Sequence, residues 1–190
     1  MLFRSGADIA LIDAVRAIIV KSANDISVAV AEHIAGSEEK FAQLMTRKAR
    51  QIGMKDTTFR NAHDLPDPGQ VTTARDMLTL ALRLNDDFPN QYRLFSTRSF
   101  EFNGASMRNH NTMLSSYDGM DGIKTGYTQA SGFNLVASVR RDGRHVVAVV
   151  FGGSSAAARN VYMRAILDRS RSEEHTSELQ SPYVISYAVF

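Results

Sequence analysis

The chain has 190 residues, a hydrophobic fraction of 44%, 22 Lys and Arg against 20 Asp and Glu, and a formal net charge of +2. That is one domain, or part of a larger one, and so weak and scattered a charge excludes nucleic acid as an expected partner. No run of about 18 apolar residues could form a membrane-spanning helix, Met1 is not followed by the basic region and apolar core of a secretory leader, and the absence of cysteine removes any disulfide framework.

Asp8 is placed to cap a first helix, with Ile12, Val15 and Ile19 at helical spacing as far as about Lys21. Ser22-Ala23-Asn24-Asp25 interrupts it, and Asn24 or Asp25 is placed to cap a second helix. Ile26, Val30, His33 and Ile34 mark one face of that helix, and Gly36 ends it. Ser37 caps a third, with Phe41, Leu44, Met45 and Ile52 expected inward and Gly53 as the stop. Asn61 to Gly69 is a loop broken by Pro66, Pro68 and Gly69. Thr73 opens a fourth helix through Leu84.

Beyond residue 90 the period changes, and Tyr92 to Phe102 is expected to be strand. Asp121 to Tyr127 predicts another. Phe133, Leu135, Ala137 and Val139 alternate with polar or small neighbours, Asp142-Gly143 suits a two-residue hairpin turn, and Val146 to Phe151 is the near-continuous apolar run of a strand covered on both faces. Ala156 to Leu167 predicts a closing helix. Helices followed by an antiparallel sheet and a helix packed on it make an α+β fold. Arg171 to Ser181 resembles the translation of a DNA-sequencing adapter, and Pro182 to Phe190 shows no strand or helix logic linking it to what precedes. Residues 1–170 are therefore expected to be the domain and 171–190 an artefactual tail.

Two short motifs, roughly a hundred residues apart, carry chemistry. In Lys124-Thr125-Gly126, strand alternation puts Lys124 and Gly126 on one face and Thr125 on the other. Lys124 offers a fixed cation, Thr125 a hydroxyl for a carboxylate, and Gly126 room for a ligand backbone to approach. Such a strand suits a peptide ending in a free carboxylate. In Ser22-Ala23-Asn24 the hydroxyl can relay a proton to a leaving amine, and the amide can hold a lysine and a substrate carbonyl. Each tripeptide alone is equally consistent with a strand-to-turn segment or a helix junction. The five histidines share no ligand spacing, so neither a metal nor a cofactor is expected. His33 is expected at the edge of the core, and His63 and His110 in loops that orient the backbone.

The motifs acquire force from their surroundings: V-K-S-A-N-D, A-E-H-I-A-G-S at Ala31, F-R-N-A-H-D-L at Phe59, T-A-R-D-M at Thr73, N-H-N-T-M-L at Asn109, D-G-I-K-T-G-Y-T at Asp121 and S-G-F-N-L-V-A-S at Ser131. In this order they resemble the catalytic core of the D-alanyl-D-alanine carboxypeptidases, the low-molecular-mass penicillin-binding proteins, over residues 8 to 170. The resemblance implies a serine β-lactamase/DD-peptidase fold, an antiparallel sheet flanked by helices with a helical subdomain. It also implies a site built from Ser22, Asn24 and Lys124 as catalytic residues, with Thr125, Gly126 and Arg159 binding substrate. The implied ligands are peptidoglycan stem peptides ending in D-Ala-D-Ala, and β-lactams, with the parent protein in the periplasm or at the cell surface.

The pattern departs from the family at one point. A nucleophilic Ser with Lys three residues on is expected upstream of Ser22, as attacking group and base. The only Ser-x-x-Lys is Ser37-Glu38-Glu39-Lys40, which lies downstream and reads as a helix N-terminus with acids in its first turn. The chain is thus expected to be an N-terminally truncated, inactive piece of such an enzyme, with exposed apolar surface and an unpaired sheet edge. A β-lactamase is disfavoured because none of Glu32, Glu38, Glu39 and Glu101 has Asn four positions on, as the common type requires. A non-catalytic peptidoglycan-binding module is the other alternative.

Overall fold

The structure, a computed structural model, describes residues 6, 8–141, 143–172 and 183–189. They fall into two compact units, residues 1–73 with 97–110 and residues 74–96 with 111–190.

The first unit is mainly helical. α1 (Leu11–Lys21) buries Ala14, Ala17, Ile19 and Val20, a one-sided stripe at helical spacing. It ends at Ser22, a left-handed residue with φ 51° whose N–H bonds back to Ile18 O. α2 (Asn24–Ala35) buries Ile26, Ser27 and Ala31 and stops at Gly36, φ 78°, where a side chain would be strained. Ser37 caps α3 (Glu38–Gln51), its hydroxyl accepting the Lys40 N–H at 3.3 Å. α2 lies against both α1 and α3, and α1 also meets the hairpin of β1 (Ser99–Phe102) and β2 (Ala105–Arg108).

Several expectations shift here. α1 begins behind Ala10 and α2 behind Ala23, neither with a side-chain cap, so Asp8, Asn24 and Asp25 do not cap these helices. Asp25 instead accepts the N–H of its neighbour Ile26, the local competition that Asp offers a helix start. His33 is exposed and Ile34 is 59% exposed, so α2 buries the Ile26–Ala31 side instead. In α3 full burial falls on Ala42 and Ala49, while Leu44 stays exposed.

The second unit is built on a sheet of order β3 (Met120–Thr128), β4 (Gly132–Arg141), β5 (Arg144–Gly153), β6 (Tyr183–Val189). β3, β4 and β5 are antiparallel neighbours, and Arg141 pairs with Arg144 across the hairpin. Of the expected turn pair, Asp142 lies outside the described residues and Gly143 has φ 76°, as a two-residue hairpin turn demands. One face carries Leu135, Ala137, Val139, Ala148 and Val150 against Met163 and Leu167 of α7 (Ala156–Ser172), with Met113 and Leu114 of α6 (Met113–Ser116) joining them. The other carries Val136, Val147 and Val149 against Ala74, Leu78 and Ala81 of α4 (Ala74–Asp87). Both faces of β4 and β5 are dry, which is why their sequences run almost continuously apolar.

Two predictions fail in this unit. Tyr92 to Ser96 is not strand: α5 (Pro89–Tyr92) runs into a 3₁₀ turn at Arg93–Ser96, and only Ser99–Phe102 is extended. Pro89 at the first helical position, with its fixed φ, favours that start. The segment after Pro182, expected to have no strand logic, contains β6, which pairs parallel with β5 from His145–Tyr183 to Phe151–Val189. Y-V-I-S-Y-A-V is rich in β-formers, and β5 would otherwise present a row of unpaired backbone groups. Arriving after the crossover helix α7, the strand runs parallel to β5, so the sheet is mixed rather than purely antiparallel.

Candidate active site

Ser22 and Asn24 belong to the first unit, and Lys124, Thr125, Gly126 and Arg159 to the second. At the helix junction, Ser22 is exposed and left-handed, Ala23 is buried and Asn24 is half-buried as the first residue of α2. A left-handed non-glycine residue is uncommon, and here it swings the chain between two helices and leaves the Ser22 side chain exposed. The carbonyl oxygens of Ser22 and His63 each stand 3.0 Å from one end of the Asn24 amide, which assigns that end as the nitrogen. Beside the junction, Lys21 Nζ lies 3.0 Å from Nε2 of His110, and the His110 N–H reaches Val20 O at 3.4 Å. The main chain at His110 is thereby tied to the end of α1. The His63 ring accepts the Leu65 N–H through Nδ1 at 3.1 Å.

Lys124, Thr125 and Gly126 lie on β3, at the margin of the sheet. Lys124 pairs with Val136, Thr125 with Leu135 and Gly126 with Asn134. Directly opposed residues share a face, so Lys124 and Gly126 lie on one face and Thr125 on the other, the alternation the motif required. All three are half-buried, and Lys124 Nζ donates to Thr125 O at 2.9 Å. Among the described residues no strand pairs with the outer side of β3. Arg159, near the start of α7, is 3% exposed. Its Nη1 donates to Asn134 O at 3.2 Å, and its Nε and Nη2 donate to Asn160 Oδ1. Burial lowers its pKa from the ordinary guanidinium value. Three of its five N–H groups are thus spent on the protein, one of them on the residue that faces Gly126.

What sequence reasoning missed is the anchor of β3. The strand bulges between Met120 and Gly122, leaving Asp121 as the extra residue. The Asp121 carboxylate accepts the hydroxyl of fully buried Ser138 and pairs with Arg140 Nε at 2.8 Å. His145 Nε2 lies 2.8 Å from Ser138 Oγ. Burial pushes the His145 imidazole below its ordinary value, Arg140 adds to that, and Asp121 and Asp86 oppose it. Burial pushes the adjoining Tyr92 phenol up to about 12. Asn111, also buried, donates to Gly122 O at 3.3 Å. The available signal was a serine at an inward position of an otherwise apolar strand.

Ser37 shows the capping geometry described above, which is the structural reading of the one Ser-x-x-Lys match.

The fold is that of penicillin-binding proteins. Penicillin-binding protein 5 from Haemophilus influenzae superposes with a TM-score of 0.82 at 34% identity, over 87% of this chain and 49% of that one. A Listeria monocytogenes penicillin-binding protein solved in its ampicillin-bound form gives 0.75 at 26% identity, over 88% and 74%. A profile of the D-alanyl-D-alanine carboxypeptidase family matches residues 1–155, and the chain belongs to that family. D-alanyl-D-alanine carboxypeptidase DacC of Escherichia coli is 38% identical over 156 residues, 82% of this chain and 39% of its own length. The chain thus spans about two fifths of the length of that relative.

Proposed function

We propose that the whole protein is a serine-type D-Ala-D-Ala carboxypeptidase. It removes the terminal D-alanine of peptidoglycan stem peptides through an acyl-serine intermediate, is captured covalently by β-lactams, and works in the periplasm or at the cell surface. The observation that carries this reading is the family match over residues 1–155 together with Lys124-Thr125-Gly126 on the marginal strand β3. The ampicillin-bound relative supports the β-lactam part.

The roles follow from chemistry. Lys124 supplies a positive charge, and the Thr125 hydroxyl can donate to the C-terminal carboxylate of the substrate. Gly126 lets the peptide backbone approach without meeting a Cβ. Arg159 adds guanidinium charge one strand behind Gly126. The exposed Ser22 hydroxyl passes a proton to the departing D-alanine amine, and Asn24 orients the reacting groups. Attack on the penultimate carbonyl needs a Ser-x-x-Lys that residues 1–190 do not provide outside the Ser37 cap. This chain by itself is therefore inactive, since losing a serine nucleophile removes several powers of ten in rate. Within the proposal, residues 1–170 are the catalytic-domain portion and 171–190 are foreign to it.

The test joins residues 8–170 to the upstream catalytic segment of a relative and measures D-alanine release from an acyl-D-Ala-D-Ala peptide. Turnover that falls at least tenfold in Thr125→Val, with Tm unchanged, is the expected result. Absence of turnover in a folded protein that also fails to retain fluorescent penicillin would refute the assignment. So would covalent labelling of the 190-residue chain alone, as far as its inactivity is concerned.

A further inference from the structure

The two ends of β3 are out of step with β4 by one residue. At the entry to the strand Met120 pairs with Val139, and the Arg140 N–H bonds to Gly119 O at 2.9 Å. At the hairpin end Thr128 pairs with Gly132, and the Thr128 hydroxyl oxygen accepts the Ser131 N–H at 3.0 Å. Continuing the entry register would set Lys124 opposite Leu135 and Thr125 opposite Asn134, whereas they lie opposite Val136 and Leu135. A one-residue bulge must therefore sit somewhere between Met120 and Thr128. Its place decides the faces, because a motif residue on the entry side of it would turn to the other side of the sheet. The bulge comes at Asp121, ahead of the motif. Both carboxylate oxygens are held from β4, Oδ1 by the Ser138 hydroxyl and Oδ2 by Arg140 Nε at 2.8 Å. Ser138 spends its one hydrogen on Asp121, so His145 donates to it through Nε2–H at 2.8 Å. Gly122, opposite Ser138, has little room, since a Cβ there would lie 3.3 Å from Phe95 Cβ. Asn111 donates to the Gly122 carbonyl at 3.3 Å. Many residues can occupy a bulge, but a carboxylate tied to two residues of the facing strand fixes where it lies.

We infer that Asp121, held by Ser138 and Arg140, is a positioning residue for Lys124 and Thr125: it pins the bulge ahead of the motif and so decides which face each side chain takes. The inference rests on the reading of Lys124 and Thr125 as the grip on a substrate carboxylate and deepens it. With the bulge beyond Thr125, Lys124 would take the face of Leu135 and Thr125 the face of Asn134, exchanging cation and hydroxyl across the sheet. Affinity for a peptide carboxylate is then set by a residue that touches no substrate.

The test uses the 190-residue chain, with Asp121→Ala and Asp121→Asn. By NMR, main-chain NOEs in the unaltered chain should join Lys124 to Val136 and Thr125 to Leu135. Asp121→Ala should lose at least half of that intensity and gain Lys124–Leu135 and Thr125–Asn134 NOEs, while the methyl contacts of Val150 and Met163 within their core cluster stay. Asp121→Asn removes the same charge but keeps an acceptor oxygen for Ser138, and should keep the original pairs. Unchanged pairs in Asp121→Ala overturn the inference. Loss of the core contacts as well also overturns it, because Asp121 would then be holding the unit rather than the register. Titration with an acyl-D-Ala-D-Ala peptide separates this from the function. Affinity tenfold weaker in Asp121→Ala, with Asp121→Asn within threefold of the unaltered chain, supports the positioning role, and equal affinity in all three counts against it. An unaltered chain that binds no peptide counts against the carboxylate grip alone, with the NOE pairs still deciding where the bulge is held.

Discussion

Replacing Gly153 by alanine probes how tightly α7 is seated on the sheet. Gly153 is buried at the end of β5, and a Cβ there would lie 2.8 Å from Arg159 Cβ, 3.1 Å from Phe133 O and 3.2 Å from Arg159 Cα. Two of those three atoms belong to backbone, and Arg159 is itself pinned to Asn134 O and Asn160. No flexible side-chain end can swing aside, so the start of α7 must move away from the sheet. Overpacking of this kind costs about 1–3 kcal/mol. At about 2–4 °C per kcal/mol for a chain of this size, Tm should fall by roughly 2–12 °C. The bond from Arg159 to the residue facing Gly126 should lengthen at the same time, so carboxylate affinity in the whole protein should drop with stability. Differential scanning calorimetry of the 190-residue chain reads the first effect directly. A Gly153→Ala chain melting within a degree of the unaltered one would show that α7 is not seated against Gly153, and the argument for Arg159 as a fixed element would go with it.

Acid should destabilise the second unit through His145. Its folded pKa lies below the unfolded imidazole value of about 6.5, so on acidification the unfolded chain takes the proton first. The contribution of the neutral ring is complete above about 6.5 and is lost as pH falls from there through the lowered folded value. Urea midpoints between pH 8 and pH 5 should drop further for the unaltered chain than for His145→Gln, and parallel curves would contradict this. Ser37→Ala should cost about 1 kcal/mol by removing the cap on Lys40 N–H, without altering the response to fluorescent penicillin. A covalent label present on the unaltered chain and lost in Ser37→Ala would instead make Ser37 a nucleophile.

Local chemistry made much of this legible. Gly36 and Ser37 marked the α2–α3 boundary because a left-handed cap and a hydroxyl cap are short-range demands. The alternation at residues 133–139 and the apolar run after 146 disclosed two strands dry on both faces, and the Lys124 alternation held because strand geometry leaves no choice. The misreadings share a cause. Tyr92 to Ser96 has a strand-like composition, yet a proline three residues ahead starts a helix there. Leu44 and Ile34 looked like core, yet which side of a helix is covered depends on what lies against it.

Family, most of the helices and strands, and the identity of the chemical motifs were determined by the amino-acid sequence alone, because caps, turns and side-chain periodicity are enforced within a few residues. Tertiary structure alone decided the parallel pairing of β6 on β5 and the Asp121–Ser138–His145 anchor under β3. Each joins groups separated along the chain, and a buried polar group takes whichever partner the fold brings within hydrogen-bond reach, which no short-range pattern encodes.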